Sequence, residues 1–227
     1  MIKKMLQILL VFMLVIILVG VGIVYFLPGK TINEEKIFTS QEISNLQEIS
    51  LNGNFDINIT DSDSKDIKCS FSKTQKGYVA NGYEIESKIE NNVLYVTTNN
   101  QKESSVVLGG ETLKVNIDIP KSYKNKLSIK SKLTPINISN SNSEDIECST
   151  TDGKIEISLD KICGDISVNT HLGDIDLKLP KDEKFNLSAS SRIGKVINNL
   201  ESNVDSSTSD KHINLSALDG TITISGK

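Results

Sequence analysis

Four aspartates stand beside glycines at regular places: Asp152 before Gly153, Asp165 after Gly164, Asp174 after Gly173 and Asp219 before Gly220. Carboxylates at repeated corners are the ligands calcium takes in glycine-and-aspartate repeats, but those repeats carry a double glycine and a shorter period than this chain has. Asp beside Gly is also ordinary turn chemistry, and these residues read as turns. Asp174 and Asp176 share one outward strand face, which allows a weak surface cation contact at most. The two histidines, His171 and His212, lie far apart and have no partner at metal or triad spacing. No nucleophile elbow and no phosphate loop is present. The sequence therefore offers no catalytic, cofactor-binding or metal residues; it implies no cofactor, and an enzyme is not expected.

The cysteines number three. Cys69 is in phase with apolar Ile67 and Phe71, and Cys148 falls in an apolar slot described below, so both read as small buried hydrophobes. Cys163 neighbours Gly164 and is expected to face outward; a Cys148–Cys163 bridge stays open. Residues 1–29 hold two lysines and no acid, which leaves 23 basic against 29 acidic side chains, a net charge of −6. That balance disfavours nucleic acid and anionic lipid surfaces as partners. With Arg192 as the single arginine, bidentate recognition of phosphate is disfavoured too. Tryptophan is absent, so a lectin-like aromatic platform has little to build on; Tyr78 and Tyr83, beside Gly77 and Gly82, are the best aromatic candidates. The N-x-S/T triplets at Asn58, Asn137, Asn186 and Asn214 fall inside strand-like alternation.

What positions these residues is a repeat. The pattern apolar-x-apolar-x-small-x-x-Gly-x-apolar-x-apolar fits Ile146, Cys148, Thr150, Gly153, Ile155 and Ile157. It returns as Ile166, Val168, Thr170, Gly173, Ile175 and Leu177, as Leu187, Ala189, Ser191, Gly194 and Val196, and as Ile213, Leu215, Ala217, Gly220, Ile222 and Ile224. A degenerate copy reads Leu127, Ile129, Ser131, Thr134, Ile136 and Ile138. The copies begin at 127, 146, 166, 187 and 213. Apolar residues two apart share one strand face, so each copy supplies two short strands around a tight corner. The glycine suits positive φ there, and the preceding Ser or Thr points inward to satisfy a backbone group. One such unit cannot bury its apolar face alone, which predicts consecutive coils stacked as an all-β solenoid of β-helix type. An antiparallel sandwich with evenly spaced hairpins is the alternative. The 26-residue last step implies an insertion near Glu201 to Asp210.

Upstream, Leu46–Thr60, Ile67–Phe71, Tyr83–Ile89, Val93–Thr97 and Leu113–Ile119 read as strands, with Asn91-Asn92 as a hairpin turn. Residues 46–126 are expected to form the first layers and a cap, and 127–227 the repeat region, in one continuous domain. Residues 28–45 read as a linker. Ile8 to Leu27 is an uncharged apolar run of 20 residues, about 30 Å as a helix. It exceeds the core of a cleavable signal peptide, so 5–27 is expected to be an uncleaved transmembrane signal anchor. Lysines flank both sides, Lys3 and Lys4 before and Lys30 and Lys36 after, so the charge rule alone does not orient it. The short tail 1–4 is placed in the cytoplasm and the β domain outside.

These parts together resemble a known family. A single N-terminal span, a strand-rich middle ending in Val115-Asn116-Ile117-Asp118-Ile119-Pro120-Lys121, then repeated Gly-Asp-Ile or Gly-Lys-Ile turns is similar to the "putative-adhesin" β-strand-repeat family of Gram-positive envelope proteins, which includes LiaG-like members. The resemblance covers residues 46–225. It implies a membrane-attached, extracytoplasmic β-repeat domain linked to adhesion or envelope stress, with no catalytic residues to carry over. The expected function is binding of a protein or cell-wall polymer at the cell surface. The alternatives are a bactofilin-like polymerising solenoid, with both rod ends uncapped, and a glycan-acting enzyme.

Overall fold

The computed structural model describes residues 2–26, 29–79, 82–99, 107–200 and 209–227. The insertion expected near Glu201 falls mostly outside them. α1 (Ile2–Phe26) is one helix of 25 residues. Between Leu9 and Val19 every side chain is exposed. Among the described residues no helix is long and apolar enough to cross a membrane.

Strands make up almost everything else. They are β1 (Lys30–Phe38), β2 (Glu48–Asn52), β3 (Asp56–Ser62), β4 (Ile67–Val79), β5 (Glu84–Glu90), β6 (Val93–Asn99) and β7 (Val107–Pro120) in the first half. The second half holds β8 (Lys126–Ser131), β9 (Ile136–Ser139), β10 (Asp145–Asp152), β11 (Ile155–Ser158), β12 (Asp165–Leu172), β13 (Ile175–Leu179), β14 (Asn186–Ser191), β15 (Val196–Asn198), β16 (His212–Asp219) and β17 (Ile222–Gly226). They form two sheets, ordered β1-β4-β7-β3-β9-β11-β13-β17-β15 and β5-β6-β2-β8-β10-β12-β16-β14. Each coil gives one strand to each sheet. Through the repeat region all pairing is parallel, which decides for a solenoid-like stack over an antiparallel sandwich.

The register aligns the repeat slots. Leu127, Ile146, Ile166, Ile213 and Leu187 form one inward column, and Ile129, Cys148, Val168, Leu215 and Ala189 the next. Ile136, Ile155, Ile175, Ile222 and Val196 face them from the other sheet. Most of these side chains are buried. Burying one Ile or Leu is worth roughly 1.5–3 kcal/mol against about 0–1 kcal/mol for an exposed ion pair, so this dry interior holds the rod.

The coils do not stack in chain order. The coil β2–β3 lies between β6–β7 and β8–β9, and the coil β16–β17 lies between β12–β13 and β14–β15. The expectation of consecutive copies in consecutive layers is corrected at both places. The corner glycines record the new order. A Cβ on Gly153 would meet the Thr134 carbonyl oxygen at 2.5 Å, on Gly173 that of Gly153 at 2.2 Å, on Gly220 that of Gly173 at 2.0 Å, and on Gly194 that of Gly220 at 2.0 Å. Close approach of neighbouring coils excludes a side chain along this column. Positive φ adds to it at Gly173 (153°) and Gly220 (157°).

The two ends of the rod differ. Beyond β6 and β7, β5 pairs antiparallel with β6, and β4 with β7 and β1. Asn91 (φ 50°) and Asn92 (φ 62°) make the β5–β6 turn. Lys36 on β1 donates to the Ser87 carbonyl on β5 across the two sheets, and its ammonium lies 4.9 Å from the centre of the Phe38 ring. The segment 28–45, expected as a linker, therefore contains a full edge strand with Phe38 in the core. The alternation Ile32, Glu34, Lys36, Phe38 is too polar to announce a strand, and β4 supplies the pairing that makes it one. At the other end β14 and β15 are edge strands of their sheets.

Candidate functional surface

Two of the four corner aspartates, Asp165 and Asp174, are structural. Asp165 Oδ1 accepts the His212 backbone N–H at 2.8 Å, and Asp174 Oδ1 accepts that of Thr221 at 2.7 Å. Each ties its coil to the next layer. Asp152, Asp174 and Asp219 lie exposed, as do both histidines. No group of three or more potential metal ligands occurs among the described residues. Cys69 and Cys148 are buried, Cys163 is half-buried, and all three are free thiols, so the Cys148–Cys163 bridge does not form. Burial pushes the Cys69 thiol up to about 12 and moves Cys148 in the same direction.

The inward hydroxyls act as expected at three corners. Ser131 Oγ donates to the Thr134 carbonyl at 3.2 Å; Ser191 Oγ donates to that of Gly220 at 2.7 Å and accepts from the Gly194 N–H at 3.0 Å; Thr150 Oγ1 reaches the Lys132 carbonyl at 3.5 Å. Thr170 departs from the pattern: its Oγ1 is buried without a partner, and Ala217 is its in-register neighbour in the next coil.

The outer faces are of two kinds. On the sheet containing β9, polar side chains satisfy one another. Asn137 donates to Asn58 at 3.1 Å and Asn58 to Asn116 at 3.0 Å, an amide ladder across three coils. Two of the four N-x-S/T asparagines are used in this way. Glu156 and Asp176 stand in register on adjacent coils, and the Lys154 ammonium bridges both. The hydrogen bonds it donates to Asp176, then Glu156, hold that amine above its usual range. Lys126 likewise spans Glu147 at 2.7 Å and Asp145 at 3.4 Å on the opposite sheet.

Over β12, β16 and β14 the opposite sheet presents something else. Ser167, Asn214 and Ser188 form one outward row, and Asn169, Ser216 and Ser190 the next. All six are exposed, and no side chain among them has a hydrogen-bond partner within the described structure. The result is a flat field of small donors and acceptors repeating about every 4.8 Å along the rod. Sequence alternation showed that these positions face outward, but not that they lie side by side, because chain order does not give layer order here.

A groove of about 550 Å³ lies at the opposite corner, between the turn 40–46, the loop 62–65 and the loop 120–125. Lys65, Lys121 and Lys124 line it with Asp63 and several serines; Lys121 pairs with Asp63 at 2.8 Å. Three separate loops build it, so no local motif announces it. Of the tyrosine candidates, the Tyr78 side chain lies outside the described residues. Tyr83 is 43% exposed, and its backbone N–H donates to Glu111 at 3.1 Å.

The profile of the Toastrack DUF4097 family matches residues 46–158 and, overlapping, 134–225. The chain belongs to this family. The Toastrack match spans both the first coils and the repeats, which agrees with the resemblance read from the sequence. A crystal structure of a "putative cell adhesion protein" from Clostridium sporogenes superposes with a TM-score of 0.62 at 19% identity, covering 87% of this chain and 100% of that one. At this identity the likeness establishes the fold. A "putative adhesin" from Bacteroides fragilis aligns over 87% of this chain and 97% of its own, at 16% identity and a TM-score of 0.37. No functionally curated protein matches the chain.

Proposed function

We propose that this Toastrack protein is a membrane-anchored, extracytoplasmic rod that binds a partner at the cell surface, and that the field of Ser167, Asn169, Ser188, Ser190, Asn214 and Ser216 is the contact face. The free field carries the reading: side chains that could have bonded one another, as those of Asn58, Asn116 and Asn137 do, stay exposed and unpaired. Equal spacing along the rod suits an extended partner, either a wall polymer or a protein strand, held by many weak contacts rather than one deep pocket. The adhesion names carried by similar structures favour contact over chemistry. The sequence supports the anchor, since residues 5–29 carry no charge. β1 starts at Lys30, so the rod would stand close to the membrane rather than on a tether.

Two experiments test this. In intact cells, protease added outside should digest the β domain; full protection overturns the topology. Full-length protein in detergent should co-sediment with isolated cell walls or crosslink to one recurrent envelope protein. The double variant Asn214→Lys, Ser216→Lys should weaken either contact at least tenfold. Unchanged binding by that variant removes the face from consideration.

A polymerising solenoid needs two matching open ends. At one end the edge strands β1 and β5 lie beyond antiparallel partners, and at the other β14 and β15 lie beyond parallel ones, so the two ends do not match and single rods are favoured over filaments.

A further inference from the structure

We propose that the groove between the turn 40–46, the loop 62–65 and the loop 120–125 is an anion site that takes a polyol chain linked by phosphodiesters. It is a second site, separate from the Ser/Asn field, and does not depend on that field being a contact face.

The groove has a volume of about 550 Å³, and every segment lining it lies within the described stretches 29–79 and 107–200. Rigid strands hold its walls. β3 and β7 run side by side with Ser62 opposite Pro120, and the Lys121 N–H donates to the Ser62 carbonyl at 2.9 Å, which joins the two loops where they leave the sheet. Asp66 accepts the Ser40 N–H at 2.7 Å, and the Asn125 amide donates to the Leu46 carbonyl at 2.6 Å. Those two bonds fix the turn 40–46 as the third wall. A site formed in advance spends little of its binding energy on ordering itself.

Its charge is opposite to that of the domain. Lys65, Lys121 and Lys124 stand against the single aspartate Asp63, a local balance of +2 in a chain whose residues beyond 29 sum to −6. Lys65 and Lys124 are exposed, and neither ammonium has a partner among the described residues. Lys121 is bonded to Asp63, but the two side chains are 52% and 91% exposed, so an arriving anion can draw that ammonium away at small cost. Asp61 and Asp160 also act on Lys121, which leaves Lys65 and Lys124 as the principal charges. Hydroxyls add donors. Ser62 Oγ accepts the Ser64 N–H at 3.1 Å and Ser64 Oγ the Asp66 N–H at 3.0 Å, and the O–H of each has no acceptor among the described residues.

The floor selects the ligand. Leu46 and Tyr123 are buried there, and the Tyr123 hydroxyl is already donated to the Lys126 carbonyl at 2.7 Å. A fitting occupant carries negative charge at intervals with uncharged carbon between. Phosphodiester-linked polyols have one charge per link and short carbon segments. Lysines meet such a monoanion as point charges, without the fork that a carboxylate or terminal phosphate rewards. Nucleic acid shares the diester, but Tyr123 is the one aromatic residue lining the groove and is buried, so bases find no stacking face. β1, nine residues long, begins beside α1 and leads to this groove, about 30 Å as a strand. Lipid headgroups around α1 would lie at the other end of β1; the choice of polymer over lipid rests on the anchored reading proposed above.

Fluorescence anisotropy of a labelled glycerol-phosphate oligomer, with the full chain in neutral detergent, tests the site. The wild type should bind. Lys65→Met with Lys124→Met keeps the apolar stems, removes two charges and should weaken binding roughly tenfold or more, with unchanged circular dichroism. Lys130→Met with Lys132→Met makes the same charge change at exposed positions of another coil and should leave binding within about twofold. Asp63→Asn, which frees Lys121, should strengthen it about threefold. No binding by the wild type, or an equal loss in both double variants, would overturn the proposal. Equal binding of a polyglutamate of the same length would overturn the phosphate class, and displacement of the oligomer by micelles carrying phosphatidylglycerol would assign the groove to lipid instead. The oligomer is soluble, so a failed membrane topology in cells would leave this measurement untouched.

Discussion

The Gly173 carbonyl oxygen packs so closely on Gly220 that a Cβ there would meet it at 2.0 Å, although 47 residues separate the two glycines. Gly220→Ala must displace backbone against backbone and also strain a φ of 157°. The expected loss is roughly 3 kcal/mol, or about 6–12 °C in Tm for a domain of this size. Gly110→Ala, with nothing within 4 Å of its added Cβ, should stay within about 0.5 kcal/mol. Thermal unfolding followed by circular dichroism compares them; equal Tm values would refute the coil contact.

Thr170 and Ser191 should respond in opposite directions. The Thr170 hydroxyl is buried without a partner, so Thr170→Val removes an uncompensated polar group at nearly constant shape. Stability should hold or rise by about 1 kcal/mol. Ser191 both donates and accepts, so Ser191→Ala should cost about 1 kcal/mol. A destabilised Thr170→Val would mean that its hydroxyl does have a partner.

The thiols give a pH prediction. Burial raises Cys69 from an ordinary 9.0 to about 12, and Cys148 rises too. The folded state keeps both protonated while the unfolded chain ionises above its ordinary value. Their contribution is complete below about pH 9 and declines as pH climbs towards the folded values. Denaturant midpoints should therefore fall above pH 9, less so in Cys69→Ala. Native protein should expose at most one thiol, Cys163, to Ellman's reagent, and all three after unfolding. Rapid reaction of three native thiols would contradict the buried columns.

Lys154 separates two carboxylates on adjacent coils. Lys154→Met should cost no more than about 1 kcal/mol, because all three groups are substantially exposed. The amine is raised by its partners, so its contribution is present below its ordinary value of 10.5 and lost as pH rises through the folded one. Adding Glu156→Gln should recover the loss; an undiminished loss in the double variant would point to packing instead of charge.

The strands, corners and dry columns were legible in the sequence because period-two alternation and glycine spacing are local signals. Ile129, Cys148, Val168 and Leu215 do share one column. Layer order was not legible. The copies at 187 and 213 are alike enough to fit either neighbour, so the pattern does not say which lies next to the copy at 166. β1 was missed because Lys30–Phe38 is largely polar and depends on β4, some 40 residues on. The Ser/Asn field and the groove arise from distant segments brought together, and no spacing rule reaches that far.

The interleaving of coils has a kinetic consequence. The segment 212–226 is synthesised after 186–198, yet it occupies the layer beneath it. During biogenesis the earlier segment has no final neighbour until the later one is available. Completion of this end of the rod therefore waits for the C-terminal segment, and a chain cut short before it would lack the surface on which 186–198 finally rests.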